Sequence, residues 1–90
     1  MDSIMQDVRE CYITGDTLGL HKHHIYHGTA LRKISEKNGF WCWLRWDRHN
    51  DVHGKNGHDL DMRLKRACQE KYEETHTRAE FMALVGRNYL

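Results

Sequence analysis

Proline is absent from this 90-residue chain, so every turn must be made by Gly, Asn, Asp or Ser. No apolar run approaches membrane-spanning length, and Met1 to Glu10 carries acidic residues without an apolar core, so neither a span nor a leader is expected. Cysteine is scarce. Cys11, Cys42 and Cys68 cannot all pair within one chain, and none lies in a C-x-x-C, which excludes a disulfide framework and a zinc knuckle. A reducing, cytoplasmic setting follows. Net charge is also small: 14 Lys and Arg against 13 Asp and Glu leave +1, too little to hold nucleic acid by bulk charge, although a local basic face is still allowed. The length allows one domain, residues 1–90, with a thin core of the kind that a metal or a partner often supports.

What the chain has in excess is histidine. There are eight, six of them between His21 and His53. One group is His21, His23, His24 and His27; the other is His49, His53 and His58. Neutral imidazole is a common ligand for divalent metals. Adjacent strand residues point to opposite faces, so His23 and His24 can serve one site only where a strand ends. There, one ring can hold an ion while its neighbour addresses a water. His49 and His53 share a face only if their segment is helical. Any single exposed histidine on a small domain is more often a solvated side chain than a ligand. Two groups flanking one strand pair weaken that reading, though a purely structural metal site stays open.

Local patterns predict an α+β chain in the order strand, strand, helix, strand, loop, helix, helix. Ser3 to Arg9 can form a helical turn. Cys11 to Thr14 is β-prone before the Gly15-Asp16 turn. Leu20 to Tyr26 reads as a strand, and Thr29 to Lys37 as a helix with Leu31 and Ile34 inward, stopped by Asn38-Gly39. Phe40 to Trp46 is strongly β-like, and its Trp41, Trp43 and Trp46 suit core and hairpin packing better than base stacking. Asp47 to Gly57 reads as a loop. A helix led by His58-Asp59 carries Leu60, Leu64, Cys68 and Tyr72 at four-residue spacing, with Arg63, Lys65 and Arg66 as its solvated face. Thr77-Arg78-Ala79-Glu80 is a capping-box pattern for a last helix, about 77–86, ended by Gly86.

Several motifs along the chain resemble the HNH (ββα-metal, His-Me finger) endonucleases. They are Cys11 to Gly15, His23-His24-Ile25, His49-Asn50, His58-Asp59 and Gly86 to Leu90. The combination is most similar to small phage- and prophage-encoded HNH-like proteins. The resemblance implies a ββα-metal core within about 11–75, a short β-hairpin with an inserted helix, followed by C-terminal helices. It implies hydrolysis of phosphodiester bonds in double-stranded DNA, no membrane association, and action in the cytoplasm of a bacterial host. It assigns His24 as general base, with His23 and His49 as ligands of one divalent ion (Mg, Mn, Ni or Zn).

Two arrangements supply the third ligand. The colicin DNases resemble His49-x-x-x-His53, whereas the small phage proteins resemble His58. His58 is the expectation, because the phage likeness spans more of the chain. The family's base-orienting asparagine precedes the second strand. Here Phe40 holds the nearest position and Asn38 lies two residues earlier; Asn50 is the alternative expected to serve instead. Thr14 stands where a second knuckle cysteine would be.

This chemistry needs a base for the attacking water and a Lewis acid at the phosphate, hence two imidazoles side by side of which only one ligates. Arg45, Arg48 and Lys55 are the candidate phosphate contacts. Arg32, Lys33 and Lys37 on the intervening helix are equally well read as phosphate contacts or as a solvated face. A metal-stabilised DNA-binding module without cleavage, or an adaptor or inhibitor on an inactive HNH scaffold, is the alternative.

Overall fold

Five residue pairs hold the centre of the molecule together. In a computed structural model describing all residues, Met1–Leu90, strand β1 (Leu20–His24) runs antiparallel to β2 (Trp41–Arg45), from Leu20 opposite Arg45 to His24 opposite Trp41. The strands are joined by helix α1 (Thr29–Asn38). Three helices follow: α2 (Trp46–His53), α3 (His58–Glu73) and α4 (Arg78–Val85). The chain is thus α+β, a two-stranded antiparallel pair with four helices. No helix is long and apolar enough to cross a membrane.

An isolated strand pair is marginal in water, so its inner face has to be covered. Ile25, Tyr26, Phe40 and Leu44 from the strand region pack with Leu64 and Cys68 of α3 and Phe81 and Val85 of α4. Tyr26 is the hub. Its ring lies edge-on to Phe40 and Phe81, both at 5.5 Å, and its hydroxyl donates to the Lys65 carbonyl at 2.7 Å. The predicted stripe on α3 supplies this contact, with Leu64 and Cys68 buried and Leu60 and Tyr72 at its margins. The capping box at Thr77 forms, with Glu80 bonded to both the backbone and the side chain of Thr77. Cys11, Cys42 and Cys68 are buried and free.

Three sequence expectations are corrected. Cys11 to Thr14 is a turn, not a strand. The Thr14 hydroxyl bonds the Asp16 carboxylate at 2.7 Å, and the Gly15 amide closes onto the Cys11 carbonyl at 2.8 Å. Such local bonds compete with ladder formation. Ser3 to Arg9 forms no helical turn. It lies along the outer edge of β2, where the Gln6 side chain accepts from the Trp43 amide at 2.7 Å and the Ser3 hydroxyl donates to the Trp41 carbonyl. These bonds, with that from the Tyr12 amide to the Trp43 carbonyl, blunt an edge that would otherwise invite pairing with another chain.

The third correction concerns Asp47 to His53, expected as loop, which is helix α2. Its inward face holds one buried apolar side chain, Val52, beside His49 and His53, so no apolar stripe announces it. Gly57 fixes the turn that follows. A Cβ there would strike the carbonyls of Asp51 and Val52, so only glycine lets α3 start this close to α2. Of the tryptophans, Trp41 is buried and Trp43 half-buried, their rings edge-on at 5.4 Å, while Trp46 opens α2 half exposed.

Candidate metal centre

Strand alternation sorts the histidines of β1. His21 and His23 point toward α2, while Lys22 and His24 point toward α1. Because α2 is a helix, His49 and His53 lie one turn apart on its inner face. His23, His49 and His53 then form a nearly equilateral triangle, with ring centroids 5.3, 5.3 and 5.0 Å apart. One ligand nitrogen from each lies within 4.8 Å of the other two, a set able to hold a metal ion. The third imidazole is therefore His53, in place of the expected His58. His58 heads α3 as an exposed residue and makes no ring contact with the other three.

His23 is the telling member. It is 1 % exposed, and neither ring nitrogen has a hydrogen-bond partner. A buried polar atom without a partner costs about 1–3 kcal/mol. Burial, with His49, His53 and His27 adding to it, lowers its pKa to about 3, so the ring is neutral with a lone pair free. A divalent ion bonded to one nitrogen would relieve that cost, and imidazole suits Zn, Ni and related metals. The donor set fits an ion on this observation. His49 is likewise held below its usual pKa, by burial first and then by His53 and His21. His21 Nδ1 lies 3.0 Å from His49 Nδ1, which leaves His49 Nε2 as the free ligand atom. Outer bonds of this kind set the orientation and tautomer of a ligating imidazole.

A fourth imidazole stands at the rim. His27 has its ring 5.4 Å from His53 and 6.2 Å from His23, and its Nε2 lies 3.3 Å from Asp61 Oδ1. Burial pushes the Asp61 carboxyl upward, but bonds from Lys65 and His27 outweigh it and hold the group below its usual range.

His24 is adjacent to the triangle and outside it. Its Nε2 lies 2.7 Å from Glu36 Oε2, and Lys22 bonds the same carboxylate at 3.0 Å. These bonds hold the Glu36 carboxyl below the ordinary carboxylate range. A carboxylate only accepts, so His24 Nε2 carries the proton and Nδ1 is left as an acceptor without a protein partner. The residue found bonded to His24 is thus a carboxylate from α1 and not the expected asparagine. Asn50 is exposed and lines a separate depression with Arg48, Asp51 and Lys55.

His23, His24, His27, His49 and His53 share one cleft of about 600 Å³ with Lys22, Arg32 and Lys33; Gly28 and Thr29 complete its wall. No carboxylate and no apolar residue lines it. The basic residues expected at the site are elsewhere. Arg45 pairs with Asp16 at 3.2 Å and Asp47 at 3.4 Å, and Arg48 with Asp51 at 3.4 Å. Arg32 and Lys33, weighed equally as a solvated face, border the histidines together with Lys22.

Two residues beside the predicted ones were ranked low or missed. His53 had a visible signal, its spacing from His49, and stood as the alternative to His58. Glu36 had none, since it reaches His24 only through the placement of α1. Comparison of the chain with protein-family models, with curated proteins and with solved structures finds no match.

Proposed function

We propose that this protein is a metal-dependent endonuclease of the HNH type, hydrolysing phosphodiester bonds of double-stranded DNA. The observation that carries the reading is the pairing of a three-imidazole triangle with an adjacent imidazole, His24, that is oriented by Glu36 and free at Nδ1. In this reading β1, β2 and α2 are the ββα-metal core. The motif resemblance adds a phage or prophage origin and a bacterial cytoplasmic site of action.

His23, His49 and His53 would hold the divalent ion, which supplies Lewis acidity at the phosphate and neutralises charge at the leaving oxygen. The remaining roles belong to the chain. His24 Nδ1 takes the proton of the attacking water, and Glu36 stabilises the imidazolium that results. Lys22, tied to Glu36, adds positive charge to the cleft wall. The burial of His23 keeps it deprotonated through the neutral range.

The test is nicking of supercoiled plasmid with Mg, Mn, Ni or Zn. Wild type should nick, while His24→Ala should bind the metal with unchanged affinity and fail to nick. His23→Ala should lose metal binding. A wild-type protein that binds metal and never nicks under any of the four ions refutes the enzyme. That result would favour the second reading, a metal-stabilised DNA-binding module or an inactive adaptor, for which the unsatisfied nitrogens of His23 are equally good support.

A further inference from the structure

The first turn of α1 has an unfilled set of donors. Its N-cap is Gly28, which offers no side-chain bond, and no acidic residue lies in the turn. The amides of Thr29, Ala30 and Leu31 donate to no protein acceptor; the first bond of the helix is from Arg32 to the Gly28 carbonyl. Gly28 has φ 99°, a conformation other residues rarely adopt, and a Cβ added there would have no neighbour within 4 Å, so the approach to these amides is open. A helix N-terminus of this kind favours anions through its free N–H groups and its dipole.

Position makes this more than a loose helix end. Gly28, Thr29, Arg32 and Lys33 line the same carboxylate-free cleft as the histidines. Arg32 and Lys33 have no acidic partner, whereas Lys22 on the same wall is tied to Glu36. Independently, the wall of that cleft contains His23, buried and with both nitrogens unpartnered. Such a group is retained at a cost in stability and is completed from outside the chain. The cleft is therefore built to receive a ligand, and three open amides, a guanidinium and an ammonium border the place where it enters.

We propose that the first turn of α1 is a phosphate subsite, at which the Thr29, Ala30 and Leu31 amides, with Arg32 and Lys33, hold a backbone phosphate of duplex DNA beside the three imidazoles. This rests on the nuclease reading for its DNA ligand, though the subsite is defined without it. The guanidinium and the amides suit the non-esterified oxygens of a phosphodiester. The subsite fixes where the duplex lies and reads no sequence.

The full chain, stripped of metal with EDTA, is titrated with inorganic phosphate and then with a short blunt duplex while backbone amide resonances are followed. Both should shift Thr29, Ala30 and Leu31. Duplex affinity is then measured across salt concentrations. Arg32→Ala and Lys33→Ala should each lower the salt slope by about 1, with metal affinity unchanged. Thr29→Glu, which sets a carboxylate over the same amides, should abolish the phosphate-induced shifts.

Amides that stay unmoved by phosphate and duplex alike overturn the subsite. So does a double variant with the wild-type slope; if its amides still respond to inorganic phosphate, the site takes the free anion and the DNA assignment is lost. Failure of the nuclease reading looks different: α1 amides that respond to duplex in a protein that nicks with no metal sink the enzyme and keep the subsite. Nicking by the double variant at the wild-type rate does the reverse.

Discussion

Replacing His23 with leucine exchanges two unsatisfied nitrogens for an apolar side chain of similar size, at a position that is 1 % exposed. If His23 were a structural residue, the change would weaken the fold. If its ring is held unpaired for a metal, the metal-free protein should gain stability. Removing an unpartnered buried polar group returns about 1–3 kcal/mol. For a domain of this size each kcal/mol moves the Tm by roughly 4–8 °C. Wild type should respond to metal in the opposite sense to its variant. An ion present at a hundred times its Kd adds about 2.7 kcal/mol, and the leucine variant, short of one ligand, should gain little. The assay is thermal unfolding followed by circular dichroism, for both proteins, in EDTA and in excess zinc or nickel. The expected pattern is a crossover: the variant melts higher in EDTA, the wild type higher with metal. A variant that melts below wild type in EDTA, or that keeps the full metal-induced rise, refutes the assignment of His23.

The same buried ring sets an acid limit. Its folded pKa of about 3 lies below the ordinary 6.5, so between these values the unfolded chain binds a proton that the folded chain does not. Stability should fall as pH drops below 6.5, by up to about 1.4 kcal/mol per unit, and level off near 3; urea melts of wild type and His23→Leu should show the slope only in the former. Among ligands, His53→Ala should abolish calorimetric metal binding while His58→Ala leaves it intact, and the converse would restore His58 to the centre. Glu36→Gln should lower nicking roughly 10–100-fold without changing metal affinity, as expected of a group that orients the base; loss of metal binding instead would place Glu36 elsewhere in the site.

The sequence announced those elements whose buried face is apolar. Leu64 and Cys68 declared α3, the Thr77–Glu80 pattern declared α4, and alternation with aromatic residues declared both strands. It did not announce α2, because that helix buries a single apolar side chain, Val52, and its half-buried His49 and exposed His53 count as polar in a hydrophobic pattern. The expectation of His58 over His53 has another cause: the motif resemblance that spans more of the chain carries a histidine at His58, and it outweighed the four-residue spacing of His49 and His53. His23 and His24 were legible because strand alternation and the motif resemblance each point to them, and His49 through the resemblance alone. Glu36 and Lys22 were not, since a contact between a strand and a helix packed on it follows no spacing rule. The cations of the cleft were misplaced for a simpler reason: nearness in sequence to His49 favoured Arg45 and Arg48, whose guanidinium groups turn to local carboxylates.

The five-pair ladder between β1 and β2 has a consequence for how errors would present themselves. Neighbouring strand residues differ only in the side to which they project, so a slip of one residue would carry His24 into the interior and turn His23 out toward Glu36. The roles proposed for these two chemically identical rings would be exchanged, and composition would hide it. The grip of Ser3 and Gln6 on the outer edge of β2 thus guards the register on which the proposed chemistry depends, as well as the fold. Damage to that distant clasp should be read first as a muddled site in a protein that still looks folded.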